Sequence, residues 1–214
     1  MITYHPRKND KGQLVPIDHP NQPASVEAWA QSGQHATVIP DSSMPATVSG
    51  LPISAWRQVP TSAAGWERLA QASTFDEPPM LQVVGKIPAS GAVVVETDGR
   101  VWVVSPTNRF GGYTNTFPKG KIEPKDGLSL HANALKEVWE EAGLQVALTG
   151  FLCDSDRSTS VTRYYLARRI SGNPADMSWE SQAVHLVPRN QLAKFASHPN
   201  DKGVLEALSA SLAC

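Results

Sequence analysis

Cysteine is scarce: Cys153 and Cys214 are the only two in 214 residues, which gives neither metal-ligand spacing nor a disulfide framework. Charge of one sign is missing too. Nineteen basic and twenty acidic residues leave a net charge of -1, so no bulk positive field attracts nucleic acid or anionic lipid, and neither is expected as a partner. No uninterrupted apolar run approaches the ~20 residues of a bilayer-crossing helix, and the opening MITYHPRKND lacks an apolar signal core. The chain is therefore expected to be cytoplasmic. Charged residues are 18%, below the ~25% of an average domain, which excludes a charge-driven disordered protein.

What is present changes character near residue 80. Ten of the 17 prolines lie in the first 80 residues, where they forbid long helices and interrupt sheet ladders. Trp29, Trp56 and Trp66 lie there as well, and disordered segments are poor in such rings. Residues 1–80 therefore read as an ordered, irregular, Pro-rich arm with short helices near 25–31 and 64–73. Its tryptophans are expected to pack on the main domain or on a second subunit, which makes the arm a candidate homodimer contact.

Residues 81–214 read as one domain. Ala89–Glu96 and Arg100–Ser105 are β-rich runs around Asp98-Gly99, a tight-hairpin signal. A Gly-rich loop follows. Ser129 can cap a helix through about Ala142, which Gly143 would end. Strands are expected at Gln145–Asp154, Ser160–Ile170 and Ser181–Val187, then helices around Gln191–Ala196 and Lys202–Ser211. This order suggests helices packed on a mixed sheet, an α/β fold.

The chemistry concentrates in Gly120–Leu144, GKIEPKDGLSLHANALKEVWEEAGL. Glu137, Glu140 and Glu141 stand at i, i+3 and i+4, on one helix face. Like charges this close repel, and a divalent cation removes that cost. Hard oxygen ligands suit Mg2+, which is then shared with substrate phosphates. The bland reading of three glutamates alone is a solvated acidic face.

The flanks decide against the bland reading. Lys136-Glu137-Val138-Trp139-Glu140-Glu141-Ala142-Gly143-Leu144 resembles the second half of the Nudix box, apart from Lys for Arg. Phe117-Pro118-Lys119-Gly120-Lys121-Ile122-Glu123-Pro124 looks like the strand and turn that enter it. The resemblance to the Nudix hydrolase superfamily covers about residues 82–209. It implies a Nudix-like α/β/α sandwich with a mixed β-sheet, Mg2+ with Mn2+ as a substitute, and a small-molecule phosphoanhydride substrate. Glu137, Glu140 and Glu141 would be the metal ligands. The general base varies within the superfamily, being a box glutamate (Glu140 or Glu141) or a later carboxylate, for which Glu180 is the candidate.

Two positions depart from the pattern. Gly120 to Lys136 is two residues too long, so the first box glutamate falls on Leu128, which can neither ligate a metal nor pair with a cation. Glu123 or Asp126 is expected to reach back into that place. Lys136 keeps the charge of the missing arginine but not its planar fork. Lys119, Lys121, Arg109, Tyr113 and Arg163 are candidate substrate contacts; His131 is expected to be exposed, and Trp139 to pack against the sheet or arm. ADP-ribose, another nucleotide sugar, a dinucleoside polyphosphate and a diphosphoinositol phosphate all stay open as substrates. The alternative function, motivated by Leu128 and Lys136, is a ligand sensor with little turnover.

Overall fold

A computed structural model describes residues 2–211, so Cys214 lies outside the described residues. The N-terminal third is a chain of short elements, as its prolines require. Strands β1 (Thr3–Tyr4) and β2 (Pro16–Ile17) form a ribbon, followed by α1 (Val26–Ala30) and β3 (Ala36–Val38). A second ribbon joins β4 (Thr47–Val48) to β5 (Leu51–Pro52), and α2 (Ala63–Ala70) closes the segment. The five-residue α1 is too short to be stable alone. Buried Arg100 donates to the carbonyls of Ala28, Trp29 (2.6 Å) and Gln31, and so caps the end of this helix.

The longer elements follow: β6 (Ile87–Val95), β7 (Val101–Pro106), β8 (Lys119–Lys121), α3 (Leu130–Ala142), β9 (Leu144–Asp156), β10 (Ser160–Gly172), β11 (Ser181–Val187), α4 (Arg189–Phe195) and α5 (Lys202–Ser211). The sheet order is β3-β11-β7-β6-β10-β9, with β8 beside β6. β10 runs parallel to β6 and antiparallel to β9, so the sheet is mixed.

Strand alternation sorts the side chains to two faces. Ala92, Val94, Trp102, Val104, Tyr165 and Leu186 meet Ala134, Leu135 and Val138 of α3 in one core. Val93, Val101, Val103 and Tyr164 meet Leu192, Val204 and Leu208 of α4 and α5 in the other. The architecture is an α/β/α sandwich.

The N-terminal segment covers the α3 side. Trp29 packs on Trp102 at 5.9 Å, while Trp56 lies edge-on to both Trp66 (5.7 Å) and Trp139 of α3 (5.4 Å). One element there departs from the sequence reading. Ala36–Val38 is no loop but an edge strand of the main sheet, paired antiparallel to Val184–Leu186 of β11. Three residues are too few to show an alternating pattern.

Candidate active site

Helix α3 builds most of the site. Ser129 Oγ accepts the Ala132 N–H at 3.2 Å and starts the helix, and left-handed Gly143 ends it. Between them Asn133, Glu137 and Glu141 stand four residues apart in a stripe facing β8. Asn133 Nδ2 donates to the Gly120 carbonyl and to Ser90 Oγ, both at 3.1 Å. The backbone N–H of Lys119 donates to Glu141 Oε2 at 2.9 Å. The Glu137 carboxyl lies so close to Gly120 that any Cβ there would overlap it, which accounts for glycine at this place. Asn133 was not singled out from the sequence, although its place one turn before Glu137 was the available signal.

A third carboxylate arrives from outside the helix. Glu180 immediately precedes β11, and its carbonyl accepts the Thr107 N–H at 2.8 Å. One carboxylate oxygen each from Glu137, Glu141 and Glu180 lies within 4.8 Å of the other two. Glu137 and Glu141 are buried, Glu180 partly so. Burial and then the Glu141 charge hold the Glu137 carboxyl well above the ordinary range, against the pull of Lys136. Burial likewise pushes Glu141 up to about 7, although Lys119 opposes it with its charge and its backbone N–H. Glu180 is raised by burial, then by Glu140 and Asp10. Three carboxylates thus converge in a place that resists their ionisation.

The helix's remaining glutamate is tethered to a lysine beside them. Glu140 accepts a hydrogen bond from Lys136 Nζ at 2.6 Å, which also lies 3.7 Å from Glu137. The set the structure gathers is therefore Glu137, Glu141 and Glu180, rather than the helical trio expected from spacing. Leu128 is buried in the α3-side core. Of the two carboxylates expected to reach back there, Glu123 is exposed and Asp126 half-buried, and their backbones are joined in a turn by the Asp126 N–H to the Glu123 carbonyl at 2.9 Å.

The expected substrate contacts divide. Lys119 lies with its ammonium 5.2 Å above the Tyr113 ring, and its charge acts on both Glu141 and Glu180. Tyr113 is fixed: its hydroxyl accepts from Arg157 (2.6 Å) and Asn200 (2.8 Å), and its ring stacks 4.0 Å from His198. Arg157, buried and paired with Asp201 at 2.7 Å, was not anticipated. Lys121 and Arg109 are exposed. Arg163 needs correcting. It is buried, forks onto both oxygens of Asp154 at 2.8 Å, and donates to the Pro78 carbonyl, so no free donor edge faces a substrate. His131 is not exposed either; it is wedged between Phe75 (5.0 Å) and Tyr165 (4.7 Å) because residues 75–78 cover it.

The NUDIX domain family model matches residues 85–208, more than half of the chain. The chain belongs to the Nudix family. Its carboxylate-bearing helix α3 lies inside the matched segment, and most of the N-terminal third lies before it. Among solved structures, a Nudix hydrolase from Nitrosomonas europaea is similar at 18% identity, with 59% of this chain and 90% of that one covered and a TM-score of 0.50. The binary complex of a C. elegans Ap4A hydrolase shares 20% identity over 59% of this chain and 98% of the other, with a TM-score of 0.48. An ADP-ribose pyrophosphatase from Streptococcus suis shares 21% over 58% and 91%, with a TM-score of 0.46. No curated protein sequence matches the chain. Likeness at these identities concerns the fold alone. Among the described residues, no helix is long and apolar enough to cross a membrane.

Proposed function

We propose that this Nudix-family chain is a Mg2+-dependent hydrolase that breaks a phosphoanhydride bond in a nucleoside diphosphate linked to another moiety. The observation that carries the reading is the convergence of Glu137, Glu141 and Glu180 oxygens within 4.8 Å of one another. Such a set is hard, anionic and short of counter-charge, which fits Mg2+, with Mn2+ as a substitute. When bound, the cation supplies positive charge against the phosphate oxygens as negative charge develops on them.

The chain's own groups do the rest. Glu137, Glu141 and Glu180 hold the cation. Glu140, half-buried beside them and tethered by Lys136, is placed to take a proton from the attacking water; Glu180 is the other carboxylate able to do so. The water oxygen bonds to phosphorus, the bridging P–O bond breaks, and the leaving phosphate carries away its electron pair. The Lys119 ammonium meets a phosphate oxygen, and Tyr113, immobilised by Arg157 and Asn200, offers a fixed ring at the mouth.

The test is a substrate screen with Mg2+ or Mn2+ over ADP-ribose, other nucleotide sugars, dinucleoside polyphosphates and diphosphoinositol phosphates. Phosphate-containing products should form, and chelator should stop them. Nucleotide binding without turnover of any compound would replace the hydrolase reading with a sensor.

A further inference from the structure

The loop that carries Glu180 is held from outside the family-matched segment. Trp179 Nε1 donates to Asp10 Oδ1 at 3.1 Å. The Ser181 carbonyl accepts from His5 Nε2 at 3.1 Å. The amide of Gln182 donates to the His19 carbonyl and to Asn21 Oδ1, both at 2.7 Å. Every residue adjoining Glu180 in the run 179–182 is thus tied to residues 5–21.

The tie at His5 is the most constrained. Its ring is 1% exposed. Nδ1 lies 3.0 Å from the Arg7 nitrogen and 3.2 Å from the Arg7 carbonyl, while the Ser181 carbonyl can only accept, so the bond to it needs the proton on Nε2. The opposite flank of Glu180 is held by the same segment. The Thr107 N–H bonds the Glu180 carbonyl, and the next two residues, Asn108 and Arg109, are both left-handed at φ 53 and 56. Two such residues in succession are strained because each carries a Cβ. Asn108 is kept there by the Pro16 carbonyl (2.8 Å), the Asp18 N–H (2.9 Å) and Gln182 Oε1 (2.9 Å).

We infer that residues 5–21 are a brace that holds Glu180 against Glu137 and Glu141, with His5 as its principal positioning residue. The inference rests on Glu180 belonging to the cation-holding set. The physical need is plain. Glu137 and Glu141 are fixed to each other by one helix, whereas Glu180 comes from a separate element and is repelled by both. Without an opposing restraint its loop would relax outward, and the cation would lose an oxygen.

Mn2+ binding to the full chain, followed by electron paramagnetic resonance, reads the brace without turnover. Groups bonded directly to metal ligands contribute ~10–100-fold in affinity. His5 acts one backbone step further away, so His5→Ala should weaken Mn2+ binding about three- to tenfold. In any substrate assay it should lower kcat more than it changes KM. His5→Gln, whose side-chain N–H can still reach the Ser181 carbonyl, should restore most of the affinity. Trp179→Phe, which removes the exposed bond to Asp10 without changing any charge, should shift affinity the same way by about twofold. It decides the matter if His5→Ala fails to fold. Trp29→Phe, in the N-terminal third but outside the brace and packed on Trp102, should lower the melting temperature without moving Mn2+ affinity. Wild-type Mn2+ affinity in folded His5→Ala and in Trp179→Phe would overturn the brace. Unchanged affinity in Glu180→Gln would instead overturn the cation set on which it rests.

Discussion

Lys136 and Glu140, one helical turn apart on α3, are joined by a 2.6 Å hydrogen bond. The pair lies within the box helix, so the cation at 136 keeps a carboxylate partner although Leu128 offers none. Burial alone would lower the Lys136 pKa, but Glu137 and Glu140 outweigh it and raise it, so the ammonium stays charged. Lys136→Ala should lower kcat about tenfold by freeing Glu140 and removing charge beside Glu137, while Lys136→Arg should stay within a few-fold of wild type. Steady-state kinetics with Mg2+ in excess separates the two. Equal activity in all three proteins would detach the pair from catalysis.

Glu141→Gln should move function and stability in opposite directions. Removing a ligand charge should cost on the order of 100-fold or more in kcat. The same change removes a buried charge held up to about 7, so the metal-free protein should gain about 1–3 kcal/mol at neutral pH. Denaturant unfolding in chelator checks the gain. A destabilised, fully active variant would contradict both halves.

The metal-free protein should weaken as pH rises from about 4.5 toward 7. Over that window the folded chain retains a proton on Glu141 that the unfolded chain, titrating near 4.5, has released. Stability falls wherever the folded state binds more protons, and Glu137 and Glu180 are shifted the same way. Mg2+ substitutes for those protons. The rise in melting temperature on adding Mg2+ should therefore be small near about pH 5 and larger near about pH 8. A rise independent of pH would mean that the cation binds elsewhere.

Leu128→Glu restores the usual box residue type but should not restore anything else. The side chain is buried in the α3-side core, so a carboxylate there is desolvated and should cost about 2–4 kcal/mol. Thermal unfolding together with kcat tests this. A stable variant with higher kcat would show that the site wants the missing carboxylate.

Arg163→Ala should destabilise without raising KM. It strips Asp154 of a bidentate partner and Glu77 of a cation 3.4 Å away, at a cost of about 2–4 kcal/mol. A raised KM at unchanged stability would return Arg163 to the substrate.

The long elements were legible because their signals are local. Ser129 and Gly143 bracket α3, and the β-rich runs of β6 and β7 around Asp98-Gly99 need no knowledge of the rest of the chain. The carboxylates were legible only in part. Spacing places Glu140 on the helix face with Glu137 and Glu141, but it does not reveal that Lys136 holds it to one side. Arg163 and His131 were misplaced for one reason: each lies under residues 75–78, and no periodicity shows which face of a strand or helix a proline-rich segment will cover. Strand β3 stayed hidden because its three residues acquire strand character only by pairing with β11.

That pairing has a bearing on how the molecule keeps to itself. Val184–Leu186 of β11 are covered by β3, and the Ser181 carbonyl is taken by His5. The flank of β11 away from β7 would otherwise be a ladder of open donors and acceptors, a template for pairing with a neighbouring chain. The N-terminal third acts as a built-in edge guard. Shortening the protein to its family-matched segment should yield a chain that aggregates before it melts.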